Sequence, residues 1–438
     1  MRARNRELFG LIPAALLLSA GLAAVFIERS HQLQTTSLVY GAVFLGLCVV
    51  GNIFIRFTLP NADPYIFPIV AVLACFGLVM IFRIGGTLQA RQQAQWFVVG
   101  LILFAATILI FRDYRKLENY RYLIALASLA MLILPRVPGL ADPVNGAYLD
   151  IHLPGITFQP TEFAKVGLIV FLASYLRDYR QALAGVGSRK ILGLSFPPLK
   201  HLAPILVMWG LAMLLLLMLH DIGSSLMFYG GLVAVLYAAT ERLSFVVVAM
   251  LAFCVGAWYL GTHVPHIDSR VQAWLHPFDP KIYNATGGSF QLANAQFAMA
   301  AGGIFGQGFG QAILVAPGTH SAVIPVASTD MIYSVITDET GLFGAAGLLI
   351  AYLILIARGF KAAVLARDSF SKLMAAGLSF ILALQIFVIV GGVTRVIPLT
   401  GVTLPFVSYG GSSVLANFVL VALLLLVSDR ARNPEWAG

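Results

Sequence analysis

Hydrophobic positions in this chain fall into long unbroken blocks separated by polar stretches, not into the spaced stripes of helices that cover a soluble core. About twelve blocks stand out, at roughly 8–27, 37–55, 65–82, 94–111, 122–135, 160–176, 202–219, 222–240, 243–261, 330–357, 373–391 and 411–428. Runs of about 18 apolar residues can cross a bilayer as a helix. The pattern therefore predicts an all-α polytopic membrane protein with about twelve transmembrane helices. The fifth block is the shortest. Two breaks are long and rich in Gly and Pro, 136–159 and 262–329. Long loops inside compact proteins are usually functional or disordered, and the second is too apolar for disorder. Within it, 290–301 predicts a short helix lying in or dipping into the membrane interface. There is no strong repeat, heptad pattern or low-complexity tract, and nine residues follow Asp429. Residues 1–438 read as one integral membrane domain whose chemistry takes place at or within the membrane.

Composition agrees with the pattern. The 438 residues are 59% hydrophobic and 11% charged, against about a quarter charged in soluble domains. The formal charge of +9 would suggest nucleic acid only if the bases gathered on one soluble face, and they follow the loops instead. With the N-terminus inside, 20 of the 28 Lys and Arg residues fall on the inner side, including Arg2, Arg4, Arg6, Arg112, Arg358, Lys361, Arg430 and Arg432. The remaining eight are Arg29, Arg83, Arg91, Arg136, Lys165, Arg270, Lys281 and Arg395. This is the positive-inside bias, and it predicts both termini in the cytoplasm and no nucleic-acid partner. Arg2, Arg4 and Arg6 lead into a full-length span without a small-residue cleavage site, so no cleavable signal is expected. Cys48, Cys75 and Cys254 fall within spans as small core hydrophobes, with neither a disulfide framework nor zinc spacing.

Ionisable groups at membrane depth are costly and become candidates for function. Glu162 and Lys165 stand three residues apart in QPTEFAK, where Pro160 suits a first helical turn. They read either as a capping acid with a helix-surface ion pair or as a charged patch on an external groove. Asp221, in LHDIGSS, fits a turn or N-cap. Asp330, Asp338 and Glu339 must point into protein or a wet cavity, to pair with Arg395 or Lys165 or to hold a divalent ion through oxygen ligands. The stretch 397–413, IPLTGVTLPFVSYGGSS, predicts irregular backbone entering the membrane, tolerated when buried in protein or lining a cavity. His263, His266 and Asp268 form a loop trio that reads as solvated ahead of metal-binding.

All these clusters fall on the outer side of one topology. The outer loop there contains RVQAWLHPFDP at 270–280, in which Asp279 sits beside Trp274 and Phe278, side chains suited to the interface. A carboxylate partly desolvated among them would suit a general base.

Together these blocks resemble the SEDS family (shape, elongation, division and sporulation), the RodA, FtsW and SpoVE group. The resemblance is carried by FQPTEFAK at 158–165, HDIGSSL at 220–226, AAGGIFGQGFG at 300–310, TDMIYSVITDETGLFG at 329–344 and IPLTG with PFVSYGGSS at 397–413. These blocks keep the family's order over about 158–430, and VGGVTRVIPLTG is similar to the actinobacterial, RodA-like branch. Three departures stand out: Asp338 replaces the first Glu of the family's acid pair, His220 replaces a Pro, and the loop around Asp279 is compressed before that acid and longer by about four residues between it and Gly288.

Such a resemblance implies a peptidoglycan glycosyltransferase in the plasma membrane. It would polymerise lipid II at the outer face with a class B penicillin-binding protein as partner. WLHPFDPKIYNATGGSFQ matches the family's acid-bearing loop, which makes Asp279 the implied catalytic acid, with Asp268 as substitute. The same resemblance places Gln159, Glu162, Lys165, Arg270, Gln291, Asp330, Arg395 and the turn Ser408, Tyr409, Gly410, Gly411 and Ser412 at the substrate. A pyrophosphate leaving group needs nearby cations: Arg270, Lys165 and Arg395, or else a divalent cation such as Mg or Mn. No other cofactor is expected. The rival readings are a lipid II flippase, since broken helices also suit transporters, and a noncatalytic cell-wall scaffold.

Overall fold

A computed structural model describes residues 7, 10–30, 35–137, 139–141, 150–153, 156–184, 189–191, 194–196, 199–285, 287–315 and 322–433. The middle of the first long outer segment and residues 316–321 of the second lie outside these, as do Arg2, Arg4 and Arg6.

The chain is built almost wholly of helices. They are α1 (Ile12–Ser30), α2 (Thr35–Thr58), α3 (Ile66–Ile110), α4 (Arg121–Ile133), α5 (Pro160–Ala184), α6 (Leu199–Met218), α7 (Ile222–Thr240) and α8 (Leu243–His263). After these come α9 (Pro265–Leu275), α10 (Pro280–Tyr283), α11 (Phe290–Gly302), α12 (Ile332–Leu365), α13 (Ser369–Val393) and α14 (Gly411–Arg432). Two small antiparallel ribbons interrupt them: Ile151–Leu153 with Ile156–Phe158, and Arg189–Ile191 with Leu194–Phe196. The sequence pattern did not predict either ribbon.

Eight helices among the described residues are long and apolar enough to cross a membrane, fewer than the twelve expected. One source of the difference is α3, a continuous 45-residue stretch. Gly86 inside it has φ 74° and ψ −166°, and the rings of Phe67 and Phe104 stand 5.8 Å apart. A straight helix would separate them by about 55 Å. The stretch is therefore a helical hairpin that folds back at Gly86, and it covers the third and fourth expected spans. A second source is charge, since α5 carries Glu162, Lys165, Arg177, Asp178 and Arg180. The third lies in α1 and α2, which contribute only shorter apolar stretches, Ile12–Gly21 and Ala42–Thr58.

At the centre, α14 packs chiefly on α3, and α5 on α4, α7 and α13. Phe418 of α14 is the hub of an aromatic cluster, with edge-on contacts to Phe97, Phe104 and Phe406 at 6.2, 6.1 and 5.3 Å. Edge-to-face packing of this kind suits the aromatic quadrupole. The outer helix α8 has no buried residue, so Cys254 is exposed there, unlike the buried Cys48 and Cys75.

A second break shapes the fold. Gly341, inside α12, has φ 68°, and the glycine-rich loop after α11 packs its backbone against it. Gln307 N and Gly308 N donate to Asp338 O and Glu339 O at 2.9 and 3.0 Å, while Leu342 N and Phe343 N donate to Gly303 O and Ile304 O at 2.9 and 3.0 Å. Backbone groups freed at a helix break inside a membrane must find partners in protein, and AAGGIFGQGFG supplies them. A Cβ at Gly341 would stand 2.3 Å from Gly306 N and from Ile304 O.

Candidate functional site

The charged side chains sort to two ends of the bundle. At one end Asp63 pairs with Arg432 and Arg358, and Asp113 with Arg430. The other end carries the predicted site residues.

There Pro160 opens α5, and one turn later Lys165 Nζ lies 2.7 Å from Glu162 Oε2. The same Nζ donates to Gln385 Oε1 of α13 at 2.8 Å. Glu162 and Lys165 are 4% and 3% exposed. This corrects the helix-surface reading: α7 and α13 close over the pair, and it lies inside the bundle. Gln385 in turn donates to Thr403 O at 2.9 Å, which ties the pair to the irregular segment between α13 and α14.

Asp221 caps α7 by accepting from Ser224 N at 2.8 Å, and Asp221 Oδ2 is buried without a hydrogen-bond partner. Burial pushes the Asp221 carboxyl up; the Ser224 N–H opposes this, Glu162 adds to it and Arg270 counters it. Burial lowers the Arg270 guanidinium, and Asp221 and Asp330 pull the other way. Burial also pushes Asp330 up against Thr329 and Arg270. Gln291 Nε2 donates to Asp330 Oδ1 at 3.4 Å and to Pro325 O at 3.1 Å. One half-buried cation, Arg270, thus serves two acids from different parts of the chain, and the Glu162 charge reaches the same Asp221.

Helix α9 docks this cation. Arg270 Nη1 donates to Leu399 O at 3.2 Å, Trp274 Nε1 to Arg395 O at 2.9 Å, and Arg395 Nη2 back to Trp274 O at 3.1 Å. Arg395 also lies over the Phe278 ring at 5.8 Å. Its φ of 62° is uncommon for an arginine, and such backbone choices gather at functional sites. Asp279 follows Phe278. It is exposed and caps α10, accepting from Lys281 N at 2.9 Å. The desolvation expected for this carboxylate is absent, because Phe278 turns toward Phe297 and Arg395 and leaves Asp279 outward.

The SYGGSS turn is held from three sides. Ser408 Oγ donates to Thr329 O and accepts from Leu404 N at 2.9 Å. Tyr409 N donates to Ser328 O at 2.8 Å, and its hydroxyl to Gln92 at 2.7 Å. Gly410 N donates to Gln93 Oε1 at 3.3 Å, and Ser412 Oγ accepts from Gln159 N at 2.8 Å. At Gly411 a Cβ would meet the Trp96 ring at 2.2 Å, which explains the glycine.

One expected pairing is overturned. Glu339 bonds Arg83, not Arg395 or Lys165, with Nε 2.9 Å from Oε1. Arg83 also reaches Gly310 O and Ala312 O. The break at Gly341 turns this acid toward the loop after α11, where Arg83 of the α3 hairpin meets it. The loop trio does not converge: His263 stacks on Tyr259, His266 meets His220 edge-on, and Asp268 accepts from Gln272. Among the described residues no group of three or more His, Cys, Asp or Glu side chains is arranged to hold a metal ion.

Sequence reasoning missed Gln385, Gln92, Gln93 and Arg83. The signal was there, since Gln385 is the one amide in SFILALQIFVIV and the two glutamines stand in ARQQAQW between apolar blocks. What these residues assemble is a polar cluster at one end of an apolar bundle, with Lys165 and Arg270 as its cations.

Residues 64–433 match the family model described as cell cycle protein, that of FtsW, RodA and SpoVE. The chain is 39% identical to peptidoglycan glycosyltransferase RodA of Mycobacterium tuberculosis, over 98% of this chain and 92% of the relative. It is 31% identical to a probable peptidoglycan glycosyltransferase FtsW of Geobacter metallireducens, over 85% and 96%. Among solved structures it resembles a chain from work on structural coordination of polymerization and crosslinking by a peptidoglycan synthase complex. The TM-score is 0.66 at 26% identity, over 84% of this chain and 98% of that one. It shares its fold with the rod shape determining protein RodA of Thermus thermophilus, at TM-score 0.58 and 24% identity over 85% and 98%.

Proposed function

The chain belongs to the FtsW, RodA and SpoVE family of cell cycle proteins, in its actinobacterial RodA branch, and from that membership we propose the following reaction and site. It is a multi-pass plasma-membrane protein and a peptidoglycan glycosyltransferase that polymerises lipid II.

Asp279 takes the proton from the GlcNAc 4-hydroxyl of the acceptor as that oxygen attacks the anomeric carbon of the donor chain's MurNAc. The new glycosidic bond forms as the bond to the lipid pyrophosphate breaks, and undecaprenyl pyrophosphate leaves with the bonding electrons. Lys165, Arg270 and Arg395 face that developing negative charge, and fixed cations in a site screened from water are effective in this role. Gln159, Glu162, Gln291 and Asp330 hold the sugar-bearing headgroup. The 408–412 turn sets the floor through its bonds to Gln92, Gln93 and Ser328. An outward Asp279 suits a base that meets its hydroxyl only when the acceptor arrives.

The observation that carries this reading is the buried Lys165, held by Glu162 and Gln385, at the bundle end to which α9 and the Asp279 loop are bound. Both termini in the cytoplasm, as the charge bias of the loops implies, put that end outside. The opposite end, where Arg358, Arg430 and Arg432 cluster, faces the cytoplasm as positive-inside charge requires. The partner is a penicillin-binding transpeptidase of class B, a reading supported by the synthase complex that the chain resembles.

Purified protein given lipid II in detergent tests the reading, because a micelle leaves nothing to flip. Glycan strands are the expected product. Their absence, even with the transpeptidase added, would leave a flippase or a scaffold.

A further inference from the structure

At the end of α12 remote from the site, a shallow groove of about 410 Å³ runs along Ile350, Leu353, Ile354, Ala357, Arg358 and Lys361. These positions are i, i+3, i+4, i+7, i+8 and i+11, one continuous stripe of a helix. The stripe changes character along its length. Ile350, Leu353 and Ile354 are 55, 63 and 43% exposed, and one turn further on both long side chains are cationic.

The level in the membrane follows from helical rise. Helix α14 runs unbroken from Gly411 at the candidate site to Arg432, about 32 Å by helical rise and close to the hydrocarbon thickness of a bilayer, and Arg358 shares Asp63 with Arg432. Arg358 and Lys361 therefore stand at headgroup level in the leaflet opposite the candidate site. The apolar part of the stripe, eight residues from Ile350 to Arg358, covers about 12 Å, most of one leaflet's hydrocarbon depth.

Both cations have capacity to spare. Lys361 is exposed, and neither it nor Arg358 makes a hydrogen bond among the described residues. Arg358 lies on the Tyr65 ring at 4.2 Å, with Asp63 at 3.7 Å, but Arg432 sits closer to that same carboxylate. One acid between two arginines leaves a net positive charge beside the groove, and Lys361 adds another. A lipid-facing stripe with two cations above it is complementary to one acyl chain below one phosphate.

We propose that this groove is a binding site for an anionic glycerophospholipid of the surrounding membrane. The acyl chain lies along Ile350, Leu353 and Ile354, and the phosphate lies between Arg358 and Lys361.

Native mass spectrometry of the full-length protein in detergent, titrated with phosphatidylglycerol or phosphatidylcholine, tests this without any use of the enzymatic reaction. Wild type is expected to bind phosphatidylglycerol more tightly than phosphatidylcholine. Lys361→Gln should weaken phosphatidylglycerol binding about fivefold, and Arg358→Gln with Lys361→Gln about twentyfold. Ile350→Trp, which fills the groove, should weaken both lipids. Arg112→Gln removes an exposed cation at the same end and should change nothing. Equal affinity of wild type for the two lipids overturns the proposal. So does a loss in Arg112→Gln as large as that in Lys361→Gln, which would mean diffuse attraction without a site. If the double variant fails to fold, Lys361→Gln and Ile350→Trp decide alone, since both positions are exposed.

Discussion

Lys165 and Glu162 pair at 2.7 Å inside the bundle, one helical turn apart and almost sealed from solvent. Removing one partner of such a pair leaves an uncompensated buried charge, which costs about 3–5 kcal/mol. Lys165→Ala is therefore expected to lower the thermal unfolding midpoint in detergent by an amount corresponding to that range. Lys165→Met combined with Glu162→Gln leaves no bare charge and should regain most of the loss. Polymerising activity should stay absent in the double variant, because the cation is gone. A double variant that is both stable and active would reduce the pair to a structural role.

Asp279 presents the opposite case, an exposed carboxylate whose known contact is a cap on α10. Asn caps a helix about as well as Asp does, so Asp279→Asn should leave the unfolding midpoint almost unmoved. Glycan strand synthesis should nevertheless fall by about 10²–10⁴-fold, the usual contribution of a general base. Asp268, which bonds Gln272 within its own helix, should tolerate the same change. If Asp268→Asn is inactive while Asp279→Asn still polymerises, the base has been assigned to the wrong acid.

Gly341 carries a purely structural prediction. Its positive φ and the 2.3 Å approach of Gly306 N and Ile304 O leave no room for a Cβ. Gly341→Ala must either strain the break in α12 or push the 302–310 loop away, and with it the partners of four backbone groups. A loss of at least about 2 kcal/mol is expected. Gly347, with nothing near its Cβ position, is the control in the same helix, and Gly347→Ala should be neutral or slightly stabilising. Similar unfolding midpoints for the two variants would mean that the break relaxes freely.

Much of this was legible in the sequence, and the reason is the solvent. A bilayer punishes every charge, so Glu162, Lys165, Arg270 and Asp330 announced themselves against an apolar background, and α13 and α14 showed as plain blocks. What stayed hidden depends on where the chain folds back on itself. The blocks 65–82 and 94–111 imply a turn between them, where Gly86 stands, but nothing local says what that turn packs against, so the meeting of Arg83 with Glu339 was out of reach. Burial also reversed two readings. A Glu–Lys pair at i,i+3 looks the same on a surface as under α7 and α13, and an Asp beside Phe278 looks desolvated until the ring turns away. The two short ribbons at 151–158 and 189–196 lie in loops with no alternation long enough to announce a strand.

Asp221 and Asp330 are both pushed above the ordinary 3.8 by burial. A folded-state carboxyl with a raised pKa holds a proton that the unfolded chain has already released. Between 3.8 and the raised values the unfolded state thus binds fewer protons, and stability falls as pH rises. The stabilising contribution is complete below 3.8 and is lost on passing through the folded-state values, where each acid ionises against its burial, which its hydrogen bonds and Arg270 oppose. Asp221→Asn cannot ionise, yet its amide oxygen still accepts from the Ser224 N–H. Unfolding midpoints taken in steps from about pH 4 to pH 7 should decline less steeply in this variant than in wild type. Parallel curves would show that Asp221 ionises in the folded protein as easily as in the unfolded one, and that Arg270 fully neutralises it.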